Sequence, residues 1–185
     1  MTREEGINLI REHVKNENSI KHMLATEAIM RSLARRFKEN EESWGLAGLM
    51  HDMDMEIVDY RINPEKQGQV AAEMLRGMGV NSEITEAIRA HNPATGKVAE
   101  TLIEKAIFAT DPLTGLIVAS TLVLPSKKLT DLTAASVLKR YKEKSFAKGA
   151  RREDIAACDK VGLLLEEFVE IGLKAMQKIS EELGL

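Results

Sequence analysis

The sequence is short of the residues that would staple a fold or span a membrane. It holds one cysteine, Cys158, so it can form no internal disulfide and no cysteine zinc site, which favours a reducing compartment. Aromatic residues make up only 4% of the chain, while Leu, Ile, Ala and Met are plentiful. Side chains of those types suit helix-on-helix packing better than a sheet. Long apolar runs are missing too. The longest, Leu113 to Leu124, is interrupted by Thr114, Gly115, Ser120 and Thr121, and a bilayer needs roughly 20 apolar residues. The opening MTREEGINLIREHV has acids in its first turn and no apolar core of the signal-peptide kind. The expectation is a cytoplasmic protein with no membrane contact. There is no strand-like alternation, no internal repeat, no linker rich in Pro, Gly or Ser, no Gly-rich phosphate loop, no dinucleotide fingerprint and no serine-nucleophile motif.

What is present reads as helix almost throughout. Apolar residues recur at helical spacing in residues 3–15, 19–37, 42–51, 64–78, 82–91, 99–124, 131–142, 153–160 and 162–182. With 185 residues the chain is long enough to bury a core without a structural metal. The simplest reading is one all-α domain over 1–185, a helical bundle. The amphipathic last segment can pack on its own domain or build a homodimer.

Net charge is −3, so no nucleic-acid polymer is expected as a partner. The distribution is less even. Residues 127–152 carry +7 and leave −10 for the rest, so a basic segment rides on an acidic protein. A phosphorylated ligand would be drawn to such a segment, and a solvated helical face would look the same.

Four residues stand out as metal ligands. His51-Asp52 ends the short apolar helix carrying Leu46-Ala47-Gly48-Leu49-Met50. One imidazole nitrogen and one carboxylate oxygen make a mixed donor pair that suits divalent first-row ions. Alone the pair is more often a helix cap beside an exposed histidine. Upstream, His22 shares a stripe with Ala25, Ile29 and Leu33 and so lies on a partly buried face. Downstream, Asp111 precedes Pro112, which must kink or break its apolar helix. A buried carboxylate there is costly unless paired or coordinated. His13, flanked by Glu12, reads as a surface residue and Cys158 as a structural thiol.

The order His22, His51-Asp52, Asp111 resembles the pattern that names the HD superfamily of metal-dependent phosphohydrolases. GLAGLMHDMDME is similar to its central motif, and PEKQGQVAAEMLRGMGV, EITEAIRAHN and EKAIFATDPLTGLIVA are similar to the segments that follow in small HD-domain proteins. The likeness runs over about 19–124, with 125–185 as a C-terminal helical extension, and is nearest to stand-alone HD hydrolases of about this length. It implies one divalent ion (Mn, Fe, Co, Ni, Zn or Mg) on His22, His51, Asp52 and Asp111. It implies hydrolysis of a phosphoester in a small phosphorylated compound, a nucleotide being the expectation, by a water activated at that ion. Cations aimed at the phosphoryl oxygens would stabilise the developing charge. Lys127 and Lys128 come first as phosphate-binding residues, Arg140 and Lys144 second. Departures from the family pattern set the remaining expectations. Asp52 is followed by Met53-Asp54, not Ile-Gly, and there is no Gly-Tyr-Pro motif, which argues against that class of cyclic dinucleotide phosphodiesterase. Gln67 stands where relatives can carry a histidine, leaving His91 as a phosphate contact, a base or a weak second-site ligand. Met55 occupies the place of a Glu found in some HD nucleotidases, so Asp54 or Glu56 becomes the candidate water-orienting acid beside Asp52. The alternative is a catalytically reduced HD module that binds metal or nucleotide without turnover.

Overall fold

A computed structural model describes all of residues 1–185, and every regular element in it is helical. Ten α-helices follow one another: α1 (Arg3–His13), α2 (Glu17–Phe37), α3 (Glu41–Met50), α4 (Gln69–Gly77), α5 (Ser82–His91), α6 (Leu102–Leu122), α7 (Ala134–Lys142), α8 (Arg152–Ala156), α9 (Leu165–Gln177) and α10 (Ser180–Leu183). Short 3₁₀ turns at Pro64–Lys66, Pro93–Thr95, Leu129–Asp131 and Ala157–Val161 join them. One continuous apolar core reaches from Ile10 in α1 to Leu183 in α10. No helix is long and apolar enough to cross a membrane.

Two helices organise the packing. α3 is buried on every side from Trp44 to Met50, as an apolar helix without a polar face must be. It lies close against α2 because two glycines face that helix. A Cβ at Gly48 would stand 2.9 Å from the Glu27 backbone, and one at Gly45 would run into the Arg31 side chain. α6 is the other organiser, packing against α2, α5, α7, α8 and α9. It starts with a reciprocal cap: Thr101 Oγ1 accepts from the Glu104 amide while the Glu104 carboxylate accepts from the Thr101 amide. The helix runs unbroken through Pro112, so the expected break is absent and Asp111 sits inside a continuous helix.

Element ends shift from the sequence reading for local reasons. Asn16, Asn40, Asn81 and Thr133 cap α2, α3, α5 and α7 by accepting amide protons. Ser19 therefore lies inside the first turn of α2. The helix expected over 64–78 divides at Gln67-Gly68, where Gly68 takes φ +80°. The segment expected over 162–182 divides at Lys178-Ile179, and α10 folds back toward α2.

Candidate metal centre

α2, the end of α3 and α6 bring four side chains to one point. His22 Nε2 lies 3.2 Å from His51 Nε2, 3.0 Å from Asp111 Oδ1 and 3.7 Å from Asp52 Oδ2. His51 Nε2 lies 3.4 Å from Asp52 Oδ2 and 3.9 Å from Asp111 Oδ1. Donor atoms about 2.0–2.2 Å from a shared ion stand roughly 3.0–3.6 Å from one another; three of these five distances lie in that range, and the 3.7 and 3.9 Å ones lie just outside it. His51 and Asp52 are buried, while His22 and Asp111 are each 27% exposed and face an opening.

The remaining ring nitrogens fix the tautomers this requires. His51 Nδ1 donates to the Gly48 carbonyl at 2.8 Å. The single proton of the Thr114 hydroxyl goes to the Asp111 carbonyl at 2.7 Å, leaving its oxygen to accept from His22 Nδ1 at 2.8 Å. In both rings Nε2 keeps its lone pair for the centre, the arrangement by which outer hydrogen bonds orient metal-ligating histidines.

Without an ion the charges lean on one another. Burial works against protonated His22, but the hydrogen bond and charge of Asp111 raise its pKa. Burial holds the pKa of His51 down. For Asp52, burial favours the neutral acid, yet the surrounding imidazoles keep its pKa below the usual carboxylate range. The Asp111 pKa is lowered as well, against burial, by His22. His91 Nδ1 donates to the Ile88 carbonyl, and Nε2 stands 3.4 Å from Asp52 Oδ1. Burial opposes its charge, but Asp52 lifts it to about 9. Gln67 Nε2 donates to that same Oδ1 at 2.7 Å. One oxygen of Asp52 thus faces the donor cluster and the other is held by Gln67 and His91.

The structure does not bring the other expected residues into the cluster. Glu56 is exposed and its carboxylate accepts from the Lys15 and Asn16 amides, so it ties the α1–α2 connection. Asp54 is buried, and its Oδ2 accepts from the Gly68 and Ala71 amides at 2.8 Å each. It caps α4 across the chain, because the residue at that cap, Gly68, has no side chain to do so. That glycine is required: a Cβ there would stand 2.8 Å from His91 Cε1. Asp54 therefore acts on the site through the placement of Gln67, Gly68 and His91.

Lys127, Lys128 and Lys144 are exposed, the first two beyond the end of α6. That end is roughly 16 Å along the helix from Asp111 at 1.5 Å per residue. Arg140 pairs with Glu143 at 2.8 Å, lies over the Phe146 ring, and lines a small cavity that none of the four ligands borders. The basic segment is thus mostly a solvated face. The cavity that does open beside His22 holds about 530 Å³ and is lined by Asn18, Lys21, Gly115, Val118, Leu122 and the residues 183–185. Lys21 and Asn18 were not singled out in the sequence, although both lie within a turn of His22 on α2. Thr114 was also passed over, though it stands three residues after Asp111 and so on a neighbouring face of the same helix.

An all-helical chain that gathers His22, His51 and Asp52 within 4.8 Å of one another has the form of a helical metal-site protein. A family model for the HD domain matches residues 19–114, more than half of the chain, and the chain belongs to that family of metal-dependent phosphohydrolases. No curated protein and no solved structure matches it.

Proposed function

We propose that the protein hydrolyses a phosphoester of a small phosphorylated compound, a nucleotide being the expected class, at a single divalent ion held by His22, His51, Asp52 and Asp111. The observation that supports this most is the set of five donor–donor distances between 3.0 and 3.9 Å, with both histidine tautomers fixed from outside. A divalent ion bound there supplies Lewis acidity toward a phosphoryl oxygen and lowers the pKa of a water.

The chain's own residues divide the remaining tasks. Asp52 stays a carboxylate and orients the attacking water. His91 and Gln67 grip its outer oxygen and stop the carboxylate from rotating away. Lys21, half-buried in the cavity beside His22, offers its ammonium to the phosphoryl oxygens, and Asn18 offers an amide at the same wall. That cavity has the size of small-molecule pockets, roughly 300–1,000 Å³, which favours a free metabolite over a polymer. The Gln67 amide on Asp52 favours one ion over two, since an amide is a poor ligand for these metals.

The test is the metal content of the purified protein beside Asp52→Ala, followed by phosphate release from nucleoside and sugar phosphates with the metal found. About one ion per chain, lost in the variant, together with turnover of one substrate class, is the expected result. Full metal with no release from any substrate would leave a binding module. No metal in either protein, even after soaking with Mn or Co, would remove the basis of the reading.

A further inference from the structure

A second cavity, of about 400 Å³, is lined in part by α5 and α6, and none of the four metal-site residues lines it. Its walls carry three lysines: Lys97, Lys105 and Lys160. Lys97 is answered by Glu104 at 3.3 Å and Glu100 at 3.9 Å. Lys105, half-buried, and Lys160, exposed, have no carboxylate within 4.0 Å, so the lysines of this cavity outnumber the two carboxylates paired to Lys97. Between the cations the lining is apolar. Phe108 presents its ring half-buried, with Ala90 and Ala157 beside it. Glycine at position 96, with φ +75°, turns the chain at the rim.

Three lysines on one cavity wall favour an anion, and an apolar lining with one aromatic face favours a flat apolar group joined to it. The volume falls at the lower end of the range for small-molecule sites, roughly 300–1,000 Å³. No histidine, carboxylate or hydroxyl that could carry out bond cleavage lines the cavity, so a molecule there is held, not turned over. We infer that this cavity is a second ligand site, separate from the metal centre, that binds an organic phosphate carrying a flat apolar group, of about the size of a nucleoside monophosphate. Lys105 and Lys160 take the phosphate and Phe108 takes the flat group. The ligand would rest against Ala90, the residue before His91, and against Phe108, three residues before Asp111, so it borders the two helices that deliver those side chains to the centre.

The test uses AMP as the probe, titrated by calorimetry into full-length Asp52→Ala protein in the presence of EDTA. Binding at the metal centre is thereby removed, and the outcome does not depend on whether the protein is a hydrolase. AMP should bind, and more tightly than inorganic phosphate, because only AMP engages the apolar wall. Adding Lys105→Gln or Lys160→Glu should weaken it by roughly 10- to 100-fold, as expected for loss of one charge-assisted hydrogen bond. Adding Lys21→Ala, in the other cavity, should leave it unchanged. Lys160 is exposed, so its variant is expected to fold, and thermal unfolding checks this. The inference is overturned by any of three results: no AMP binding in this background, binding indifferent to both lysine variants, or binding lost with Lys21→Ala.

Discussion

Replacing Thr114 with valine keeps the shape of a fully buried side chain and removes one hydroxyl. That hydroxyl donates to the Asp111 carbonyl and accepts from His22 Nδ1, so it is the only link that fixes the ring of His22 from behind. The carbonyl loses one of two possible donors, which is minor inside a helix. The imidazole loses its acceptor, and an unsatisfied buried donor costs about 1–3 kcal/mol. The ring can escape that cost by moving its proton to Nε2, which blocks the lone pair the ion needs. Either way the penalty falls on metal binding, at about 10- to 100-fold in affinity, which is about 1.4–2.8 kcal/mol at 1.4 per decade. The two ranges coincide, as they should if one hydrogen bond is responsible. Competition against a chromophoric chelator with Mn or Co measures the affinity, and Thr114→Ser should restore it. A valine variant that binds metal within about twofold of the wild type, with unchanged thermal unfolding, would refute the assignment of the His22 tautomer to Thr114.

Gly48→Ala drives a Cβ to 2.9 Å from the Glu27 backbone and should cost about 1–3 kcal/mol, lowering the melting temperature by about 2–4 °C per kcal/mol and weakening metal binding through His51. Lys21→Ala should lower kcat/KM for the phosphorylated substrate by about tenfold or more, whereas Lys144→Ala should stay within about twofold; the reverse order would return the phosphate site to the basic segment. At the start of α6, burial raises the Glu104 carboxyl, but the Glu100 and Thr101 amides and Lys97 together hold its pKa below the ordinary range. Its stabilisation is therefore present above the ordinary value of about 4.3 and fades as pH falls through the lower folded value. The difference in thermal stability between wild type and Glu104→Gln should shrink below about pH 4, and a difference that grows there would contradict the sign.

The sequence was most legible where periodicity and composition agree. The apolar run from Trp44 to Met50 announced a helix, and His22 in α2, His51-Asp52 just past the end of α3 and Asp111 in α6 lie where their order and family likeness put them. The ends of helices were less legible. The helix expected from residue 19 begins at Glu17 because the Asn16 side chain accepts from the Asn18 and Ser19 amides, which only backbone geometry decides. The break at Gln67-Gly68 was hidden because its cause, Asp54, lies fourteen residues earlier in the chain for the first of its two hydrogen bonds. The division at Lys178-Ile179 has no proline or glycine to mark it. The lysine beside His22 was illegible for a different reason. Charge density along a sequence says nothing about which end of a helix faces the site, so the dense segment 127–152 stood out in the sequence while Lys21, which shares a cavity with His22, did not.

The hydrogen bond from Gln67 to Asp52 has a consequence for what leaves the site. Asp52 and Asp111 contribute one negative charge each, and their partners His22 and His51 bind an ion as neutral rings. One dication would balance those two carboxylates, with the His91 imidazole, whose pKa Asp52 lifts to about 9, adding a positive charge beside them. The outer oxygen of Asp52 is occupied by amide protons that the side chain cannot release, so it does not invite a second ion. Such a centre would attract a departing phosphate through the ion's local field, His91 and the cations of the cavity wall. A centre carrying two dications on the same carboxylates would hold that dianion far more strongly. On the proposed one-ion reading, the amide at position 67 would limit product affinity and so lower the barrier to release.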